Sequence, residues 1–162
     1  MNNVRDMLLL LCGAATLLAQ TGCSRQTGER RQEVQRVRSI NIDDYQWKNR
    51  PVFVFAPSEG GNRYNAQLRQ FQGRGDGLED RDIVLFLLPM QGNRSVDGSS
   101  LSNEASDFLW ERFQVPREQF AVLLVGKDGG VKLRSDEPVS AQRLFDLIDS
   151  MPMRQQEMRR SR

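Results

Sequence analysis

The chain has 162 residues, with two cysteines and no histidine. Its 23 basic and 21 acidic residues give a formal net charge of +2. They are interspersed and form no basic stripe interleaved with aromatic side chains, which argues against nucleic-acid binding. The lack of histidine excludes Ser-His-Asp and Cys-His catalytic systems and the usual His-type zinc sites, but leaves carboxylate-only sites open. Because Glu59, Asp80, Asp82 and Asp128 have no recognisable metal-loop or paired acid/base spacing, we expect neither a metal nor a cofactor.

The amino-terminal segment has the pattern of a secretory signal peptide. Arg5 precedes an apolar run over residues 7–19. As a helix this run spans only about 20 Å, which is less than the roughly 30 Å hydrocarbon core of a membrane. We therefore predict a signal peptide over residues 1–22 rather than a membrane-spanning anchor.

The end of this leader resembles a bacterial lipobox. The sequence Leu18-Ala-Gln-Thr-Gly-Cys-Ser24 places small residues before Cys23, although Gln20 stands where leucine is usual. We predict that Cys23 is lipidated and holds the protein to the membrane, with ordinary cleavage near residues 19–22 as the alternative. Both routes lead to export, and we expect a periplasmic protein.

Cysteine counting then limits thiol chemistry. Cys12 lies in the leader, so Cys23 is the only cysteine of the predicted mature chain. An internal disulfide is therefore impossible.

A polar segment and a compact domain follow in chain order. Residues 23–39 are rich in Gln and Arg, which predicts a flexible tether. The apolar run at residues 52–56 predicts a buried strand, ended by the turn residues 57–61. Apolar residues at helical spacing predict a helix over residues 62–72. A second apolar run at residues 83–88 predicts a parallel strand.

The remaining pattern completes one α/β domain over residues 40–151. Residues 89–100 read as a loop, and Ser102 is placed to cap the next helix. Residues 120–125 and 131–134 predict a hairpin with Asp128-Gly129 at its turn. A last helix begins near Ser140 and stops at Pro152, which leaves residues 152–162 as a basic, disordered tail. The order β-α-β-α-β-β-α is that of a thioredoxin-like fold, with a single mixed sheet flanked by helices.

Four segments resemble the DUF4174 family, whose function is uncharacterised. They are residues 50–58, 63–68, 80–85 and 125–134. The resemblance extends over about residues 42–151. It implies a thioredoxin-like domain of bacterial exported proteins that is related to modules in vertebrate sushi-repeat proteins, and it transfers no reaction.

The position of the thioredoxin dithiol lacks cysteine. Thioredoxins place Cys-x-x-Cys between the first strand and the first helix, where the helix amino terminus lowers the thiol pKa. Here Glu59 and Asn62 fall near the two cysteine positions. The usual cis-proline before the third strand is replaced by Gln119-Phe120. We therefore predict that the protein is not a thiol-disulfide oxidoreductase.

The same turn supplies the candidate binding residues. The predicted binding residues are Ser58, Glu59, Gly60, Gly61, Asn62, Arg63 and Lys127. Free backbone N–H groups at a helix amino terminus can receive an anion or a partner carboxylate. The alternative is a plain glycine turn in which Ser58 or Asn62 caps the helix and Arg63 faces solvent or an acidic group such as Asp82.

Three functional hypotheses follow. The first is a non-catalytic binding or scaffold module of the bacterial cell envelope, with another envelope protein as its partner. The second is a cysteine-independent enzyme in which Glu59, Arg63 and Lys127 gather near the turn. The third is an adaptor whose basic tether or tail attaches to acidic surfaces.

Overall fold

The computed structural model describes residues 39–160. The predicted signal peptide, the lipidation site Cys23 and nearly all of the predicted tether lie outside the described residues. Between residues 39 and 160 no helix has the length and apolar character needed to cross a membrane.

The described chain forms one mixed sheet with helices on both faces. The helices are a 3-10 helix at Ile42–Tyr45, α1 at Asn62–Phe71, α2 at Gly75–Glu79, α3 at Asn103–Arg112, α4 at Ala141–Asp149 and α5 at Pro152–Arg160. The strands are β1 at Arg50–Ser58, β2 at Ile83–Gln91, β3 at Ser95–Val96, β4 at Ser99–Ser100, β5 at Ala121–Val125 and β6 at Val131–Ser135. Their spatial order is β4-β3-β2-β1-β5-β6. The predicted α/β class, with a single mixed sheet flanked by helices, is confirmed.

The register of the strands shows which loops lie together at each end of β1. β1 runs parallel to β2, with Arg50 opposite Ile83, and antiparallel to β5, with Val52 opposite Leu124. The carboxyl end of β1 therefore lies beside the start of β5, and the amino end of β1 lies beside the loop that follows β5. This arrangement decides which candidate residues can meet.

The alternation of side chains along β1 divides the core into two layers. Val52 and Val54 face the layer that contains α1 and α4, whereas Phe53 and Phe55 face α3. All four side chains are fully buried. Burying each one contributes roughly 1.5–3 kcal/mol, so this strand anchors the fold from both sides.

Two small elements occupy segments that the sequence pattern assigns to loops. β2 continues to Gln91, and the segment after it forms the β3–β4 hairpin. Asp97 and Gly98 occupy its turn with φ values of +45° and +77°, as a type I′ turn requires. The short α2 begins inside the glycine-rich breaker, where a Cβ on Gly77 would lie 2.8 Å from the ring of Phe145.

The prediction of a disordered tail over residues 152–162 is wrong for residues 152–160. Pro152 begins α5, because proline fits the first turn of a helix, where its missing N–H costs nothing. Arg154 is only 7% exposed, and its guanidinium pairs with Asp80 and Asp149. Contacts far away in the sequence therefore order this segment.

Candidate functional site

The turn between β1 and α1 is built on backbone geometry rather than on a side-chain cap. Gly61 is the N-cap residue of α1, and no side chain caps the helix. The backbone N–H of Gly61 donates to the carbonyl of Ser58 at 3.3 Å. The expectation that Ser58 or Asn62 caps α1 is therefore wrong.

Glu59 ties this turn to the segment after β2. Its backbone N–H donates to the carbonyl of Gln91 at 2.9 Å, and its Oε2 accepts from the backbone N–H of Asn93 at 3.0 Å. Gly92 lies against the side chain, and a Cβ added there would be 2.5 Å from Oε2. We call Glu59, Gly92 and Asn93 the Glu59 latch. Glu59, which the sequence places near the first thioredoxin cysteine position, thus holds two loops together.

The latch also affects the neighbouring phenol of Tyr64. Tyr64 is 2% exposed. Burial, and secondarily the negative charge of Glu59, raises the pKa of Tyr64 to about 12. The phenol therefore stays protonated at neutral pH and acts as part of the core layer, not as a base.

Two adjoining cavities form a groove beside the turn. The first has a volume of about 280 Å³ and is lined by Ala56, Pro57, Ser58, Gly61, Asn62, Arg63, Tyr64, Glu118 and Phe120. The second has a volume of about 220 Å³ and is lined by Arg63, Glu118, Gln119, Phe120 and Asp136. We refer to the two together as the groove. Of the predicted binding residues, the structure brings Ser58, Gly61, Asn62 and Arg63 to it.

The charges of the groove are mostly acidic. Arg63 donates to Glu137 at 2.6 Å, and both side chains are more than half exposed. Arg63 therefore forms a surface ion pair with an acidic group, and that group is Glu137 rather than Asp82. Glu118 and Asp136 are exposed and make no ion pair with any other residue between 39 and 160. The sequence pattern does not indicate Glu118 or Asp136, because they come from loops 18 residues apart that only the fold brings together.

Lys127 lies at the opposite end of the sheet from the groove. Its Nζ donates to Asp82 at 2.7 Å and to Glu157 at 2.8 Å. Because β5 is antiparallel to β1, the loop after β5 returns to the amino end of β1, whereas Glu59 and Arg63 follow its carboxyl end. The three residues of the enzyme hypothesis therefore do not gather at one site.

Lys127 instead belongs to a basal ion cluster with Arg50, Asp82 and Glu157. Arg50 is 1% exposed and donates to both carboxylate oxygens of Glu157, at 3.1 and 3.0 Å. Burial raises the pKa of Glu157, but hydrogen bonds from Lys127 and Arg50 outweigh it and leave that pKa below its ordinary value. Sequence reasoning misses Glu157 because it lies in the segment predicted to be a disordered tail.

The groove combines an apolar lining with charged edges. The part of the chain that the structure describes contains no cysteine. Over the same residues no three acidic side chains stand close enough together to hold a metal ion. A groove with an apolar floor and charged edges is suited to binding a chain segment or a small polar molecule.

A family model described as "Domain of unknown function (DUF4174)" matches residues 41–157. This confirms the resemblance over residues 42–151 and extends it into α5. The match includes Glu157, so the basal ion cluster lies wholly inside the family domain.

The chain is also similar to named vertebrate proteins. It is 32% identical over 133 residues to coiled-coil domain-containing protein 80 of Danio rerio, a match that covers 72% of this chain and 15% of that protein. It is 29% identical over 112 residues to sushi repeat-containing protein SRPX2 of Xenopus laevis, covering 67% and 24% of the two chains. The chain thus spans about a quarter or less of the length of these relatives.

Solved structures with the same fold are peroxiredoxins. A reduced 2-Cys peroxiredoxin of Plasmodium vivax has a TM-score of 0.53 and 12% identity, covering 74% of this chain and 85% of that one. Thioredoxin peroxidase I of Plasmodium yoelii has a TM-score of 0.53 and 13% identity, with coverage of 72% and 80%. At such identity the likeness shows the thioredoxin-like fold alone.

Proposed function

The chain belongs to the DUF4174 family, and from that premise we propose that it is a non-catalytic, thioredoxin-like binding module of the bacterial cell envelope. The partner is another envelope protein, which is bound in the groove at the carboxyl end of β1. The protein is exported to the periplasm and is held to the membrane by a lipid on Cys23.

The Glu59 latch is the observation that carries this proposal. In a thioredoxin the corresponding turn keeps a reactive thiolate accessible. Here Glu59 accepts a hydrogen bond from the backbone N–H of Asn93 and lies against Gly92. Glu59 thus joins two loops, while the groove beside it stays open. The site thus keeps a recognition surface at the place where the fold commonly has one.

The alternatives have less support. The cysteine-independent enzyme requires Glu59, Arg63 and Lys127 at one place, and they lie at opposite ends of β1. The electrostatic adaptor loses part of its basis because Arg154 of the basic carboxyl-terminal segment is buried in ion pairs. In the described part of the tail, Arg159 and Arg160 remain exposed.

Insulin reduction tests the non-catalytic part of the proposal. The mature chain, incubated with insulin and dithiothreitol, is expected to give the rate of the reductant alone. Acceleration that survives replacement of Cys23 by serine would show a redox activity that this proposal denies.

Mass spectrometry of the mature amino terminus tests the proposed anchor. We expect the chain to begin at Cys23 with the added mass of a diacylglycerol group and an amide-linked acyl chain. A mature chain that begins elsewhere, or an unmodified Cys23, would contradict lipid anchoring. The proposal that the groove binds a partner does not depend on that result.

A further inference from the structure

The groove has an apolar floor that is part of the core. Ala56 and Phe120 line the first cavity and are 1% and 5% exposed. Phe120 also lines the second cavity, so the floor is continuous between them. The backbone N–H of Gln119 donates to the carbonyl of Pro116 at 2.9 Å, which fixes the loop that forms one wall. An aliphatic chain laid along this floor would contact a rigid surface.

The polar groups of the groove have an excess of negative charge. Arg63 carries one positive charge and is already paired with Glu137. Glu118 and Asp136 line the second cavity from two different loops, and neither has an ion-pair partner among residues 39–160. One positive and three negative side chains leave a net charge of −2 around the groove. Such a field favours cationic ligands and repels anions.

The two cavities differ in the sign of their local charge. The amino terminus of α1, at Gly61 and Asn62, borders only the first cavity, and helix dipoles place partial positive charge there. Glu118 borders both cavities, but Asp136 borders only the second. A cationic group is therefore most favourable in the second cavity, with its apolar stem lying towards the first.

We propose that the groove binds a lysine or arginine side chain of the partner polypeptide, with the cationic head between Glu118 and Asp136 and the aliphatic stem on Phe120. Lysine and arginine bury their methylene stems along apolar surface while the head keeps polar contacts, as this groove requires. The inference deepens the proposed function and rests on it. It names the chemistry of the partner that the groove selects.

The basal ion cluster does not offer an equivalent site. The cavity of about 270 Å³ beside it is lined by Arg50, Lys127 and Lys132, but each of these cations already has a carboxylate partner. A ligand there would have to displace an existing ion pair. In the groove, by contrast, Glu118 and Asp136 line a cavity and have no ion-pair partner among residues 39–160.

The test is a titration of the full chain with short peptides, in which the chemical shifts of the backbone amides report binding. The probes are acetyl-Gly-Arg-Gly-amide, the same peptide with citrulline in place of arginine, and the same peptide with glutamate. Citrulline keeps the shape of arginine and removes its charge. We expect the arginine peptide to shift the amide signals of Glu118, Gln119 and Asp136, and the other two peptides to bind several times more weakly.

Matched variants separate the groove from general surface charge. The double variant Glu118→Gln and Asp136→Asn removes the two unpaired carboxylates and should raise the Kd of the arginine peptide by about fivefold or more, as expected for the loss of two exposed ion pairs. The control double variant Asp43→Asn and Glu79→Gln makes the same change in net charge at exposed positions outside the groove lining, and should leave the Kd nearly unchanged. Thermal melting checks that both variants fold.

The outcomes are distinguishable. Equal affinity for the arginine and citrulline peptides, with shifts in the groove, would overturn the cationic preference and leave the groove as a binding surface. If both double variants weaken binding of the arginine peptide equally, net charge alone explains the weaker binding. That result would overturn the assignment of the cationic site to Glu118 and Asp136. If no peptide shifts the groove signals, the inference fails, and the proposed function then depends on direct detection of a partner.

Discussion

The Glu59 latch makes a quantitative prediction for Gly92→Ala. The added Cβ would lie 2.5 Å from Oε2 and 2.6 Å from Cβ of Glu59, so one of the two loops must move. Gly92 also has a φ of +123°, in a region that side chains other than glycine rarely adopt, at a cost of about 1–3 kcal/mol. Displacing Glu59 also weakens the hydrogen bond that it accepts from Asn93. The loss of this exposed bond adds about 1 kcal/mol to the cost of the substitution. We expect a loss of about 2–4 kcal/mol in the free energy of unfolding.

Gly98→Ala is the matched control. Gly98 has a φ of +77°, and no atom lies within 4 Å of the place that a Cβ would occupy, so substitution there adds backbone strain without a steric contact. Its expected cost is about 1–2 kcal/mol. Urea unfolding of the two variants compares the midpoints at constant slope. If Gly92→Ala costs no more than Gly98→Ala, the close contact between Gly92 and Glu59 does not stabilise the turn and the latch is disproved.

Two further predictions concern ionisable groups. Glu157→Gln removes the carboxylate that accepts hydrogen bonds from Arg50 and Lys127, and it leaves the buried Arg50 only the more distant carboxylate of Asp82, at 3.7 Å. This change should cost about 2–4 kcal/mol in urea unfolding. Because the folded pKa of Glu157 is lowered, its contribution is present above the ordinary value of 4.5 and is lost as pH falls through the folded value. The variant should therefore lose less stability on acidification than the wild type, and an equal loss would contradict the cluster. Tyr64 should ionise near pH 12 in ultraviolet titration of a Tyr45→Phe background, and Glu59→Gln should lower that pKa because it removes a nearby negative charge. A Tyr64 that ionises near pH 10 would show that this phenol is not buried against Glu59.

The fold is predictable because its strongest signals are local. The apolar runs of β1, β2 and β5 are continuous, so burial on both faces follows from the sequence. Ser102 caps its helix as expected, and the last helix begins after Ser140 as expected, since such signals depend on residues only a few positions apart. Local patterns are therefore sufficient for the order of the main elements and for the fold class.

The missed features depend on contacts between distant segments. The β3–β4 hairpin has two-residue strands, too short to show an alternating pattern, although Asp97-Gly98 is a recognisable turn signal. Pro152 reads as the end of one helix, but it also begins the next. Whether α5 forms is decided by ion pairs from Arg154 and Glu157 to residues more than 70 positions away. Such pairs leave no periodic trace in the sequence.

The sequence predicts where the candidate site lies but not all of the residues that form it. Its position follows from the turn after β1, and Asn62 and Arg63 lie there as expected. Its acidic wall comes from loops after α3 and β6, whose approach depends on the antiparallel pairing of β5 with β6. Lys127 lies away from the groove for the same reason, because the direction of β5 carries the loop after it to the far end of the sheet.

Photocrosslinking in intact cells tests most directly whether the groove is the binding surface. A photoreactive residue is introduced in the full chain at Gln119, which lines the groove, and in a separate variant at Gln155, an exposed glutamine on α5. The account predicts a discrete crosslinked species at Gln119 that is absent at Gln155 and is lost when Glu118→Gln and Asp136→Asn are added. Crosslinking at Gln155 but not at Gln119 would place the partner at the other end of the sheet and contradict the account.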